Sequence, residues 1–361
     1  MPQLWQESPL ILSNPLSRND ASVYLKLETV HPGYSFKSRG ISFFVRRAKE
    51  AHGSSVHLVI ASGGNAALAA ACAARSLQVR CSVYIPNGVA QSTLDLLRRE
   101  NAEVVVGGQH YAEALRAAKT VVDDEDNAVL VPAYEDPVVW EGHSSIILEA
   151  SKQLGCKPNA IFCSVGGGGL LGGIMIGCDQ VGWDSVPIVA LETIGSDCFY
   201  HSMALNRQGG TVVLPEGVTV VHDEVHDVKL AHFSAFSSKA SGSLGASLPA
   251  AGVVKRALER AGRVICVSVP DELSMQAASL FADDHKMLVE LACSTTLVAA
   301  YKEELFDHII PPTGTKRLGL FIVCGGFKVS LDDIVQYRAL FDACSDSLEV
   351  YCDGEAVKIK K

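Results

Sequence analysis

Pro32-Gly33-Tyr34-Ser35-Phe36-Lys37-Ser38-Arg39-Gly40 puts one lysine in a short turn flanked by glycine and serine, directly after an aromatic residue. The residues after Lys37 have the spacing of an amphipathic helix. Taken alone, a loop lysine is a solvated surface charge. Two later stretches change that reading. Ser62-Gly63-Gly64-Asn65-Ala66 ends one apolar run, and Ser164-Val165-Gly166-Gly167-Gly168-Gly169-Leu170 ends another. Each stands where a strand gives way to a helix, so N–H groups without intrahelical acceptors converge there. In the second stretch the glycines let the backbone approach an anion without a clashing Cβ, and the helix beginning at Leu170 adds its positive end.

Outward from these stretches, short apolar runs alternate with helical periodicity, the pattern of an α/β protein with largely parallel sheets. Strands are expected at 56–61, 81–85, 103–106 and 128–131, separated by helices at 65–77, 92–100 and 110–123. This block predicts a small domain over residues 37–136, with 1–36 and 137–361 forming a larger one. Tyr134-Glu135-Asp136-Pro137 marks the return to it. The theme then repeats as strand 160–164, helix 170–181 and strand 187–192. Gly, Ser, Pro and His dominate 208–249, which predicts long connections with one or two short helices. Regular structure resumes with helix 250–261, strand 264–269, helices 272–285 and 290–303, strand 318–324 and a last helix at 330–341.

A chain of 361 residues with 48% hydrophobic and 20% charged residues has the composition of a globular protein with sizeable cores. Its net charge of −9 argues against nucleic acid or an anionic membrane surface as partner. No stretch approaches the length of an apolar membrane span, and the first ten residues lack the plan of a signal peptide, so a cytoplasmic location is expected. The eleven cysteines are dispersed, with no Cys-x-x-Cys and no zinc spacing. They read as free, mostly buried thiols.

The lysine turn, the 62–65 loop, the glycine run and Cys324 in Ile322-Val323-Cys324-Gly325-Gly326 resemble, in residues and in order, the pyridoxal-phosphate enzymes of the tryptophan-synthase β-like family, fold type II. Within it the chain is most similar to the L-serine/L-threonine dehydratases of the animal-liver type. The resemblance implies two open, twisted, mostly parallel sheets flanked by helices. It makes Lys37 the residue that bonds the cofactor aldehyde and later takes the substrate Cα proton, with Phe36 on one ring face and Ser243 on the other. The phosphate falls to Gly166, Gly167, Gly168, Gly169 and Leu170. Asn65 is assigned to the ring hydroxyl, and Ser62, Gly63 and Asn65 to the substrate carboxylate. Cys324 would face the pyridine nitrogen, a neutral partner where many members have serine or threonine. A monovalent cation, potassium, would be held by Glu192 with oxygens of Gly166, Ser196, Leu244 and Ala246. A homodimer acting on a small amino acid is implied as well. Plainer readings stand beside these: Ser62 or Asn65 as a helix cap, Glu192 in a surface ion pair, Cys324 as a small buried hydrophobe. Trp140-Glu141-Gly142-His143-Ser144 also matches, with His143 read as a satisfied polar core residue.

Three departures from the dehydratase pattern bear on activity. Gly63 stands where dehydratases commonly carry alanine and serine racemases a serine, which disfavours racemisation. The 208–241 segment is longer than its counterpart. Phe327-Lys328 replaces a small polar residue and an asparagine. The reaction implied is β-elimination of L-serine, and of L-threonine, to pyruvate or 2-oxobutanoate and ammonia. Competing readings are β-replacement or a pathway-specific lyase on another β-substituted amino acid, serine racemisation, and a non-catalytic binding protein.

Overall fold

The computed structural model describes residues 3–207 and 212–361. Its larger sheet has eight strands in the order Leu10–Leu12, Ala21–Leu27, Arg317–Val323, Ala160–Ser164, Ile188–Thr193, Val264–Val269, Ser347–Cys352 and Glu355–Lys360. The five strands from Ala21–Leu27 to Val264–Val269 run parallel, and antiparallel strands close both edges. Every residue of Ala160–Ser164, Ile188–Thr193 and Val264–Val269 is buried, as expected for parallel strands covered by helices on both faces. The smaller sheet is wholly parallel, in the order Glu103–Val106, Arg80–Ile85, His57–Ala61, Ala128–Leu130. Its helix Asn65–Leu77 buries a run of alanines, which lets Lys37–His52 pack closely beside it. The fold is α/β, as the alternating pattern predicts.

Most expected elements lie within one or two residues of the observed ones. The exceptions are the strands Leu10–Leu12 and Ala21–Leu27 and the helix Pro137–Leu154, for which no element was expected, two hairpins, and a break in one helix. The 208–249 stretch holds a β-hairpin, Val218–Asp223 with Val228–Phe233, where only loops and short helices were expected. Residues 208–211 of it lie outside the described residues. A second hairpin, Ser347–Cys352 with Glu355–Lys360, comes after the helix expected to end the chain's regular structure. Residues 290–303 divide into Leu291–Tyr301 and Glu303–Ile309, because Lys302 between them is extended.

The start of the lysine-bearing helix is fixed by a buried ionic network. Arg39 donates through Nε to Glu28 (2.5 Å), through Nη1 to Glu149 (2.6 Å) and through Nη2 to Ser8 (2.9 Å). Lys26 Nζ donates to Glu149 and Gln153 at 2.8 and 2.9 Å. Burial alone would raise the Glu28 carboxyl, but Arg39 and His31 outweigh it and hold it well below the usual carboxylate range. Removing one partner from such a network typically costs about 3–5 kcal/mol, because a buried charge is left unpaired. The helix Lys37–His52 is thereby tied to Pro137–Leu154 and to the N-terminal strands.

Candidate active site

A cleft of about 600 Å³ opens where strands of both sheets end, the usual place for a ligand in open α/β sheets. His57–Ala61 delivers the 62–65 loop to it, Ala160–Ser164 the glycine run, and Arg317–Val323 delivers Cys324.

Lys37 opens the helix Lys37–His52, and its Nζ donates to the Ala133 carbonyl oxygen. Loss of hydration by burial pulls its pKa down to about 8, with Cys324 opposing the shift in part. Phe36 lines the cleft 5.2 Å from that amine and packs against the His143 ring at 4.9 Å. The Phe36 N–H donates to the Cys324 carbonyl oxygen at 3.0 Å, so two of the expected site residues are pinned to each other through the main chain. His143 is not the satisfied core residue expected. Its Nδ1 accepts the Gly40 N–H at 3.1 Å, which leaves Nε2 protonated, buried and without a partner. Burial and the nearby Lys37 push its pKa well below the usual histidine value.

The glycine run forms a cradle that side chains would fill. Gly168 has φ +92°, the left-handed region, and caps the helix Gly169–Gln180. A Cβ on Gly167 would lie 2.5 Å from carbons of the Tyr134 ring, and one on Gly166 would lie 2.9 Å from the Leu244 carbonyl oxygen. Gly169 and Leu170 begin the helix, so their N–H groups have no intrahelical acceptor. At the 62–65 loop neither Ser62 nor Asn65 caps the adjoining helix: Gly64 holds the cap position, and Ser62 Oγ accepts its N–H at 3.2 Å. Asn65 donates to both Glu290 carboxylate oxygens, at 3.1 and 3.2 Å. Ser243 Oγ donates to the same carboxylate at 2.6 Å. Cys324 Sγ lies 3.5 Å from Ser164 Oγ on the cleft wall.

A lysine that sheds its proton readily, in one cleft with a thiol and with a glycine run whose Cβ positions at Gly166, Gly167 and Gly169 are blocked, fits pyridoxal phosphate. The family profile described as "Pyridoxal-phosphate dependent enzyme" matches residues 2–313. The chain belongs to this family. L-serine dehydratase/L-threonine deaminase of Homo sapiens is 36% identical to this pyridoxal-phosphate enzyme over 327 residues, covering 88% of this chain and 89% of the other. L-serine dehydratase of Dictyostelium discoideum is 30% identical over 352 residues, covering 93% of each. Among solved structures, a fungal L-serine ammonia-lyase from Rhizomucor miehei superposes with a TM-score of 0.81 at 28% identity, over 94% of this chain and 100% of that one. The processed threonine deaminase isoform 2 of Solanum lycopersicum shares the fold, with a TM-score of 0.77 at 22% identity over 94% of this chain and 85% of the other.

The residues expected around a cation come from three stretches of this pyridoxal-phosphate enzyme, 166, 192–196 and 244–246. Glu192 is buried rather than in a surface ion pair, and its oxygens accept the N–H groups of Phe199 and Tyr200 at 3.0 and 2.6 Å. Burial and Asp197 still push its pKa well above the usual carboxylate value. Ser196 Oγ, four residues on, is buried without a partner. Gly166 and Leu244 adjoin each other, and Cys198 Sγ reaches to 3.9 Å from the Gly166 carbonyl oxygen. Three further cleft residues carried no expectation from sequence: Tyr134, Glu290 and, as a site residue, Lys328. No local motif marks the first two. They reach the cleft from distant parts of the chain.

Proposed function

We propose that this enzyme catalyses β-elimination of L-serine, and of L-threonine, to pyruvate or 2-oxobutanoate and ammonia. The observation that carries the reading is the Lys37 amine, its pKa drawn down to about 8, in one cleft with the glycine cradle and the 62–65 loop. The names of relatives that match most of the chain point to the same chemistry.

When bound, pyridoxal phosphate supplies an electron sink for the bond broken at the substrate Cα. Backbone N–H groups of Gly166 to Leu170 would hold its phosphate, Phe36 and Ser243 would flank its ring, and Cys324 would face its nitrogen. The first N–H groups of the helix Asn65–Leu77, with Ser62 and Gly63, would fix the substrate carboxylate. Lys37 then takes the Cα proton as a general base. Gly63 offers no hydroxyl for delivering a proton to the opposite face, and the side chains nearest its Cβ position are Val89 and Ile85. That favours elimination over racemisation.

The buried, charge-disfavoured Glu192 carboxylate and the unpartnered Ser196 hydroxyl support a potassium-like cation there, with oxygens from Gly166, Leu244 and Ala246. Separate apolar cores support a small domain over 37–136 against a larger one formed by 1–36 and 137–361. A homodimer rests on the family resemblance, and a cytoplasmic location on the sequence, which offers neither an apolar span nor the plan of a signal peptide. Among the described residues no helix is long and apolar enough to cross a membrane. The deciding experiment gives the purified protein a panel of β-substituted amino acids, with a 2-oxo-acid assay beside chiral amino-acid analysis. Conversion of L-serine to D-serine faster than to pyruvate overturns the proposal, as does release of no 2-oxo acid from either substrate.

A further inference from the structure

Lys328 departs from the dehydratase pattern, and it stands at the cleft. Its backbone is fixed from two sides. The Lys328 N–H donates to Glu290 Oε1 at 2.8 Å, and the Phe327 N–H donates to Asn65 Oδ1 at 3.3 Å. The side chain then passes over the 62–65 loop: Nζ and Cε lie 3.1 and 3.4 Å from the point a Cβ on Gly64 would occupy. Among the described residues its amine meets the Gly242 carbonyl oxygen at 3.5 Å, the long limit of a hydrogen bond, and forms no ion pair. Glu290, the carboxylate that lines the same cleft, is already engaged by Asn65, Ser243 and the Lys328 N–H. An ammonium with no ion-pair partner among the described residues thus stands over the loop to which the substrate carboxylate is assigned.

One carboxylate is served by the N–H groups that open the helix Asn65–Leu77. A monocarboxylic substrate such as serine leaves the Lys328 charge without a counterpart. Gly64 beneath it carries no side chain, so the amine can lie against the loop. We propose that Lys328 is a specificity-determining residue that recognises a second acidic group, so that the favoured substrates are 3-hydroxy amino acids bearing a carboxylate on Cβ. This rests on the elimination reading and narrows its substrate class. For 3-hydroxyaspartate, the Cα proton and the Cβ hydroxyl leave together as water. One water then hydrolyses the resulting enamine, through its imine, to 2-oxobutanedioate and ammonia. The sum needs no oxidant or reductant.

The test uses the cofactor-loaded enzyme with Lys328→Ser and Lys328→Arg variants, each checked for unchanged melting temperature and cofactor affinity. Release of 2-oxo acid from 3-hydroxy-L-aspartate and from L-serine gives the preference in kcat/KM. Binding of L-aspartate against L-alanine, which lack a β-leaving group, is read from the cofactor absorbance and is independent of elimination. An ion pair at a solvent-accessible site is worth up to about 1 kcal/mol, so Lys328→Ser should cut the diacid preference about fivefold in both readouts, through KM rather than kcat. Lys328→Arg should retain it. A preference left unchanged by Lys328→Ser, whether both ligands weaken together or neither does, overturns the inference. Release of no 2-oxo acid from either substrate, with an aspartate preference that still depends on Lys328, would instead overturn the elimination reading and the 3-hydroxy substrates with it, leaving only recognition of a second acidic group by Lys328.

Discussion

Gly167→Ala tests the glycine cradle at its tightest point. The added methyl carbon would lie 2.5 Å from Cγ and Cε2 of Tyr134. Carbon atoms in contact prefer about 3.5–4.0 Å, so the ring must retreat by about 1 Å. It is not free to do so. Trp140 Nε1 donates to the Tyr134 carbonyl oxygen at 2.6 Å, and the Tyr134 hydroxyl donates to the Leu248 carbonyl oxygen at 3.3 Å. Ala133, the residue before it, supplies the carbonyl that holds the Lys37 amine. Overpacking of this kind costs about 1–3 kcal/mol. Carried by the cofactor-bound form, that is about a 5- to 150-fold loss of affinity. The assay titrates apo-protein with pyridoxal phosphate by absorbance, with thermal melting in parallel. Adding Tyr134→Ala removes the ring that the methyl strikes, so the two substitutions should be strongly non-additive. An affinity for Gly167→Ala within twofold of the parent, or strictly additive losses in the double variant, would refute the assignment of this cradle to the phosphate.

Lys37→Ala should abolish 2-oxo-acid formation and the absorbance of the lysine-bound cofactor while the melting curve stays cooperative; near-parental turnover rules out Lys37 as the base. Because burial lowers the Lys37 pKa to about 8 from 10.5, the amine is unprotonated above that pH. The rate of cofactor capture by apo-protein should therefore rise with pH through a midpoint of about 8, and a midpoint near the ordinary lysine value would contradict the desolvation. The same sign makes this group's contribution to stability grow as pH rises from about 8 towards 10.5, since the unfolded chain holds the proton longer. Activity should rise when potassium replaces lithium at equal ionic strength, and Glu192→Ala should lose the response; indifference to cation identity removes that site. Gly63→Ser should gain detectable D-serine from L-serine by chiral analysis, provided Val89 gives way to the new Cβ 3.2 Å from it. No gain in a variant that still eliminates would mean that a hydroxyl at this position does not decide between the two reactions.

The strands and helices around Asn65 and Gly166 were legible because strand, glycine loop and helix succeed one another locally, and each apolar run is buried; at Lys37 only the helix start was. Ala21–Leu27 escaped because Lys26 reads as a solvent-facing residue, whereas it is buried and held by Glu149 and Gln153. Val218–Asp223 escaped because Val220 and Val221 are both exposed, so no clean alternation of polar and apolar residues marks the strand. The last hairpin did carry a signal. Asp353-Gly354 is the dipeptide of a tight two-residue turn, and both residues have positive φ. In the cleft, the motifs supplied the residues that lie on loops at strand ends. Tyr134 and Glu290 were invisible because what places them is packing between segments far apart in the chain, not spacing along it. Ser62 and Asn65 were legible as helix-start residues but not as to partner: the cap falls on Gly64.

Arg317–Val323 is the last of the parallel strands to be synthesised, yet it lies between Ala21–Leu27 and Ala160–Ser164. Until it emerges from the ribosome, those two strands each present an open edge, and the gap between them has nothing to pair with. Exposed edges of this kind recruit other chains, so the nascent protein is vulnerable to misassembly until this strand emerges. Cys324 arrives with that strand, and its carbonyl supplies the acceptor for Phe36. Lys37 thus waits for the strand that carries Cys324 before its surroundings exist. Loading with pyridoxal phosphate should accordingly follow the arrival of this strand, and truncated products that lack it should neither bind the cofactor nor be stabilised by it.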